Sequence, residues 1–101
     1  MDHIFEIKDN SGRLIRLTKE RRIHIKSDHP EMTNELDNLK AVVSCGPKFT
    51  KTSEYDDNVM FYYRYYKDKK SGAKYLLTAV KHLNGDGFVI TAFYTNKVKG
   101  I

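Results

Sequence analysis

Apolar positions along this chain follow two different periods, and the change falls near the middle. At the start, His3-Ile4-Phe5-Glu6-Ile7-Lys8 carries enough β-formers for a strand, and Asp9-Asn10-Ser11-Gly12 reads as a turn. Arg13-Leu14-Ile15-Arg16-Leu17 reads as a second short strand, so the two predict a β-hairpin. Thr18 stands where a helix N-cap belongs, and Lys19 to about Asp28 reads as a helix. It must end at His29, because the residue before Pro30 resists the α region. Thr33 or Asn34 can cap a second helix, with Glu35 and Asp37 suited to its positive end. Leu36, Leu39, Val42 and Val43 form one apolar stripe on it, and Gly46-Pro47 stops it.

From residue 48 onward the period drops to two. Strands are expected over Lys48 to Ser53, Val59 to Tyr66, Lys74 to His82 and Phe88 to Thr95. Between them lie an acidic turn, Glu54 to Asn58, a charged loop, Lys67 to Gly72, and the turn Asn84-Gly85-Asp86-Gly87. Asn96 to Ile101 is a basic tail. Strict alternation on the last strand would point Phe88, Ile90, Ala92 and Tyr94 one way and Val89, Thr91, Phe93 and Thr95 the other. Consecutive strands joined by short turns are antiparallel. The expected architecture is therefore one α+β domain over residues 1–101: an N-terminal β-hairpin and two short helices packed on a four-stranded antiparallel sheet. The helices cover one sheet face and leave the other for a ligand.

Composition narrows the function classes. Charged residues make up 31% of the 101 positions and twelve residues are Tyr or Phe, unlike a disordered acidic chain. No apolar run nears the ~20 residues of a membrane span, and Met1-Asp2-His3-Ile4-Phe5-Glu6 lacks the regions of a signal peptide. The one cysteine, Cys45, excludes an internal disulfide and any multi-cysteine zinc site. It reads as a small buried residue closing a helix, and the expected compartment is the cytoplasm. The net charge of +5 favours a polyanionic partner, a nucleic acid or an acidic protein. The charge is segregated: Arg13 to Lys26 holds six bases and one acid, and Glu31 to Asp37 three acids and no base.

Several residues could carry chemistry. Met60, Tyr62, Arg64 and Tyr66 share one face of the aromatic strand, and Val59, Phe61, Tyr63 and Tyr65 the other. Arg64 is the only charge on that strand, so it either stacks on Tyr62 and Tyr66 in solvent or clamps a phosphate with its planar fork. Lys81 and His82 end the central strand, and alternation allows only one of them to face a site. His24 and His29 are five residues apart, about 140° around a helix, a poor spacing for a metal pair. Either is a packing or helix-terminal histidine, or a proton carrier near neutral pH of the kind RNA cleavage needs. Tyr62, Tyr63, Tyr65, Tyr66, Tyr75 and Tyr94 could stack on bases, although alternation must bury about half of them. Four scattered histidines without carboxylates at ligand spacing predict no metal and no cofactor.

Taken in order, Leu17-Thr18-Lys19-Glu20-Arg21-Arg22-Ile23-His24-Ile25, Asp28-His29-Pro30-Glu31, Tyr62-Tyr63-Arg64, Val80-Lys81 and Phe88 to Thr95 resemble the phage-associated branch of the superfamily that unites barnase, EndoU, colicin and RelE nucleases. The resemblance covers roughly residues 13 to 99. It implies N-terminal helices against a four-stranded antiparallel sheet and a metal-independent endoribonuclease, often the toxin of a toxin–antitoxin pair or part of a phage protein. Carried onto this chain it implicates His24, His29, Arg64, Lys81, Thr91 and Thr95. The expected division has Arg64 binding phosphate, a helix histidine exchanging the proton and Thr91 or Thr95 orienting the phosphate, with Tyr62, Tyr66 and Tyr94 against the bases. The expected partners are RNA, such as tRNA or mRNA, and an acidic antitoxin or immunity protein, with no membrane. The alternatives are a non-catalytic RNA-binding module using the aromatic sheet face, and an interaction domain whose basic surface meets an acidic protein.

Overall fold

The computed structural model describes residues 3–9, 11–44, 49–66 and 73–96. Cys45, the Gly46-Pro47 stop, the loop Lys67 to Gly72 and the tail from Lys97 lie outside the described residues. In chain order the elements are β1 (His3–Lys8), β2 (Leu14–Thr18), α1 (Lys19–Asp28), a 3-10 turn (Pro30–Met32), α2 (Leu36–Ser44), β3 (Phe49–Thr52), β4 (Val59–Tyr65), β5 (Tyr75–Leu83) and β6 (Asp86–Thr95).

Local chemistry accounts for most boundaries. Asp9 Oδ1 accepts the backbone N–H groups of Ser11 and Arg13 at 3.0 and 2.9 Å, and Gly12 takes φ +90° to close the β1–β2 turn. Thr18 Oγ1 accepts the Arg21 N–H at 3.2 Å and starts α1; the His29 N–H on the Ile25 carbonyl ends it. Thr33 does not cap α2: its hydroxyl turns back to the Pro30 carbonyl, and α2 starts after Glu35, whose carbonyl accepts the Leu39 N–H. The β5–β6 turn is tighter than the sequence suggests. Only Asn84 and Gly85 lie outside the strands, at φ 54° and 86°, a two-residue turn with both central residues left-handed. Strand β6 therefore begins at Asp86, two residues before the expected Phe88.

The chain is α+β, but the sheet is not the expected four-stranded antiparallel one. Six strands among the described residues form one mixed sheet in the order β1-β2-β6-β5-β4-β3. The N-terminal hairpin joins it through a parallel pairing of β2 with β6, Leu14↔Asp86, Ile15↔Gly87 and Arg16↔Phe88. Both helices fall between these strands in sequence, and a parallel neighbour needs such a crossover. Gly87 fits this junction because it has no side chain. A Cβ there would lie 2.6 Å from Ile15 Cδ1 and 2.9 Å from Val80 Cγ1. Ile15 and Leu17 are fully buried, so β2 belongs to the core.

A second departure is a bulge in β6. Ala79 faces Thr91 while Val80 faces Val89, which leaves Ile90 as an extra residue. The strict alternation expected for Phe88 to Thr95 therefore fails at that point. Val89, Ala92 and Tyr94 belong to the core beneath the helices, and Ile90 and Phe93 to a smaller apolar cluster with Tyr63, Leu77 and Ala79 on the other face. The main core joins Phe5, Ile15 and Leu17 of the hairpin, Ile25 of α1, Leu39, Val42 and Val43 of α2, and Tyr62, Leu76 and Val80 of the sheet. Cutting a fully buried leucine such as Leu39 to alanine costs roughly 2–5 kcal/mol in such a setting.

Helix α1 lies against β6 and β2. Its Ile25 reaches the main core, whereas the His29 ring after it stacks on Phe93 of the outer cluster, with centroids 4.8 Å apart. Among the described residues no helix is long and apolar enough to cross a membrane.

Candidate functional site

The end of β5 is the chemically richest part of the molecule, because its last residues send an ammonium to one face and an imidazole to the other. On the outer face an open groove of about 400 Å³ runs between the start of α1 and the β5–β6 hairpin. Arg16, Glu20, Arg21, Lys81 and Phe88 supply its chemistry, over Leu83 and Ile90. The Arg16 guanidinium lies 5.6 Å from the Phe88 ring centroid and is bound by Glu6 at 2.6 Å and Asp86 at 2.9 Å. The hydrogen bond to Asp86, then that to Glu6, raises Arg16 above its ordinary pKa. Lys81 Nζ meets Asp56 Oδ2 at 3.3 Å. Asp56 sits below the usual carboxylate range, first through the Asn58 backbone N–H and then through Lys81. Arg21 makes no ion pair among the described residues, and its side chain is exposed beside Glu20. The groove therefore offers a carboxylate, three cations and an exposed aromatic ring. It can hold a phosphate, stack a base and accept a proton.

On the inner face His82 closes a buried network. Asp9, whose side chain is 1% exposed, accepts the Ser11 hydroxyl at 2.7 Å, the Arg13 Nε–H at 3.2 Å and the Tyr62 hydroxyl at 3.1 Å. Burial alone would raise the Asp9 carboxyl, but the hydrogen bonds from Ser11, Arg13 and Tyr62 outweigh it and hold it low. His82 Nε2 lies 2.9 Å from the Tyr62 oxygen, and Arg13 reaches the same oxygen at 3.4 Å. A phenol has one proton. With that proton on Asp9, His82 must donate from Nε2, which leaves Nδ1 as a bare, buried acceptor. Burial first, then the Arg13 charge, lowers the His82 pKa, and Tyr62 is pushed far up by burial. The neutral forms of both are favoured, and the buried Nδ1 is shut off from a substrate.

The proposed site residues are dispersed over these two faces and the solvent side of α1. Lys81 lines the groove. Thr91 and Thr95 pair with Ala79 and Tyr75, which places them on the same outer face. His29 also meets that face, on Phe93, with Nδ1 3.9 Å from Glu31. It stands roughly 12 Å along α1 from Arg21, at 1.5 Å per residue. His24 points to solvent and pairs with Asp28 at 3.1 Å. Arg64 lies on the inner face opposite Leu76, its guanidinium 5.8 Å from the Tyr66 ring centroid. The faces of Arg64 and of Thr91 with Thr95 are thus opposite. Tyr62 is 1% exposed and has no ring surface for a base. Tyr66 and Tyr94 meet edge to face against the inner core, where the Tyr94 hydroxyl donates to Glu35 Oε2 at 3.2 Å.

No catalytic or binding motif in the sequence marks Arg16, Glu20, Arg21, Phe88, Asp9 or Arg13. The basic run from Arg13 to Lys26 was the available signal for Arg16 and Arg21. Asp9 carried only its turn signal. Among the described residues no three His, Cys, Asp or Glu side chains gather as a metal site. No family model, curated protein or solved structure matches this chain.

Proposed function

We propose that this chain is a metal-independent endoribonuclease of the cytoplasm, toxin-like or phage-related, that cuts single-stranded RNA in the groove between α1 and the end of β5. The observation that carries this reading is that Glu20, Arg21, Arg16 and Lys81 line one groove together with the exposed Phe88 ring. RNA cleavage without a metal needs a base for the 2′-hydroxyl, cations for the phosphorane and an acid for the leaving oxygen. In this groove Glu20 takes the 2′ proton, and the 2′ oxygen attacks the neighbouring phosphorus. Arg21 and Lys81 neutralise the charge that develops, the bond to the 5′ oxygen breaks, and the Lys81 ammonium protonates it. The products are a 2′,3′-cyclic phosphate and a 5′-hydroxyl end. Phe88, backed by Arg16, receives a base. RNA that continues over Thr91 would reach His29, which keeps that histidine as the second proton carrier to test.

A fluorogenic RNA in excess chelator tests this. The parent chain should cleave it, and Glu20→Gln should lose about 10²–10⁴-fold in rate. If Glu20→Gln cleaves as the parent does and His29→Ala does not, the base is misassigned. A binding-only reading is favoured by one observation, that among the described residues no histidine lines the groove. RNA that binds the parent chain, is released by Lys81→Ala and is never cut would establish it. An acidic inhibitor protein belongs to the toxin reading, and co-purification with one would support it.

A further inference from the structure

We infer that Asp56 is a specificity-determining residue of the groove: its carboxylate occupies the Lys81 ammonium in the free protein, and a phosphate of the ligand must displace it. This rests on the groove being the RNA-binding site. The two arginines and the lysine are held in different ways. Arg16 is tied by two carboxylates, Glu6 on β1 and Asp86 on β6, and lies over Phe88, so the sheet itself keeps it in place. Arg21 has no carboxylate partner among the described residues. Lys81 is intermediate. Its partner comes from the β3–β4 turn and not from a strand, and the two side chains are 42% and 37% exposed.

A half-exposed pair of that kind shifts an equilibrium by no more than about five-fold, so a phosphate can replace it. The turn itself does not depend on the pair. Asn58 N–H donates to Asp56 Oδ1 at 2.9 Å, Val59 N–H donates to the Asp56 carbonyl at 3.0 Å, and His82 N–H donates to the Asn58 carbonyl at 2.7 Å. The carboxylate therefore stays beside Lys81 after the ammonium has turned to the ligand, and it continues to repel anions. Weak or singly charged anions lose that competition. A polyanion that also engages Arg21 wins it. The groove so built selects phosphodiester chains over single small anions.

The substitution Asp56→Asn separates the charge from the fold, because the amide keeps an oxygen for the Asn58 N–H. Fluorescence anisotropy with a labelled single-stranded oligoribonucleotide, over a series of salt concentrations, reads the effect. D56N should bind about three- to five-fold tighter than the parent chain, and inorganic phosphate should compete better against it. K81A should bind more weakly, lower the salt slope by about 0.7 and erase the D56N gain in the double variant. Asp57→Asn removes the same formal charge from the same turn without touching Lys81 and should not reproduce the gain. If D56N binds like the parent while K81A weakens, the inference is overturned and the groove stands. An equal gain from D57N, or a D56N gain that survives K81A, overturns it too. If K81A and R21A both bind like the parent, the groove reading itself falls.

Discussion

Lys81 and His82 are neighbours in sequence and opposites in environment. Lys81 faces the outer groove, where water screens its pair with Asp56 and both side chains are about two-fifths exposed. His82 faces inward, where its ring meets Tyr62, Asp9 and Arg13. One peptide bond separates a charge that solvent stabilises from an imidazole that only protein partners can satisfy. On the proposed function, binding and stability are divided between two faces of the same strand end. On the outer face the charges are exchangeable, so substitutions should move binding. On the inner face the Asp9 carboxylate and the Tyr62 side chain are buried, so substitutions there should move folding.

The largest effect should come from Asp9→Ala. It strands the Tyr62 hydroxyl, the Ser11 and Arg13 N–H groups and part of the Arg13 guanidinium, and should cost about 3 kcal/mol or more in urea unfolding. Gly87→Ala comes next, at about 1–3 kcal/mol, because the new methyl meets Ile15, Val80 and His82 inside packing distance. Tyr62→Phe should cost about 1–2 kcal/mol, since it leaves the His82 Nε2–H without its acceptor. A loss under about half a kcal/mol for Asp9→Ala would break the comparison.

The pH dependence sharpens it further. A histidine whose folded pKa lies below the ordinary 6.5 is protonated more readily in the unfolded chain. The unfolded state then binds more protons, so His82 favours folding above that value and loses its contribution as pH falls below it. Asp9, also depressed, adds a second loss below its ordinary 3.8. Unfolding measured from about pH 7 down to about pH 5 should show stability falling, with a shallower slope in His82→Gln. An unchanged slope would remove His82 from the network's energetics. The smallest stability effect should be that of Lys81→Ala, within about 0.5 kcal/mol of the parent, although the same change should release RNA.

Much of the fold was legible where neighbours in sequence decide the outcome. Thr18 caps α1, His29 ends it, Asn84-Gly85 turns β5 into β6, and the aromatic run over Val59 to Tyr65 is a strand. Alternation put Thr91 and Thr95 on one face of their strand, and both lie on the outer face; it allowed either Lys81 or His82 to join them, and the fold turns Lys81 outward. Arg64 could not be placed on either polar face, because strand register moves every side chain at once and is set by distant partners.

The local periods, caps and turns were determined by the sequence itself, because each rests on hydrogen bonds and φ/ψ preferences within a few residues. The tertiary structure alone decided three things. It put β2 beside β6, an option open only because Gly87 leaves room for Ile15. It placed the bulge at Ile90, which turns Ala92 and Tyr94 inward. It also brought Asp9 to a hydroxyl 53 residues away and that hydroxyl to His82, 20 residues further. Those pairings satisfy the buried Tyr62 hydroxyl, which no local contact reaches, and they exist only when the whole sheet has formed.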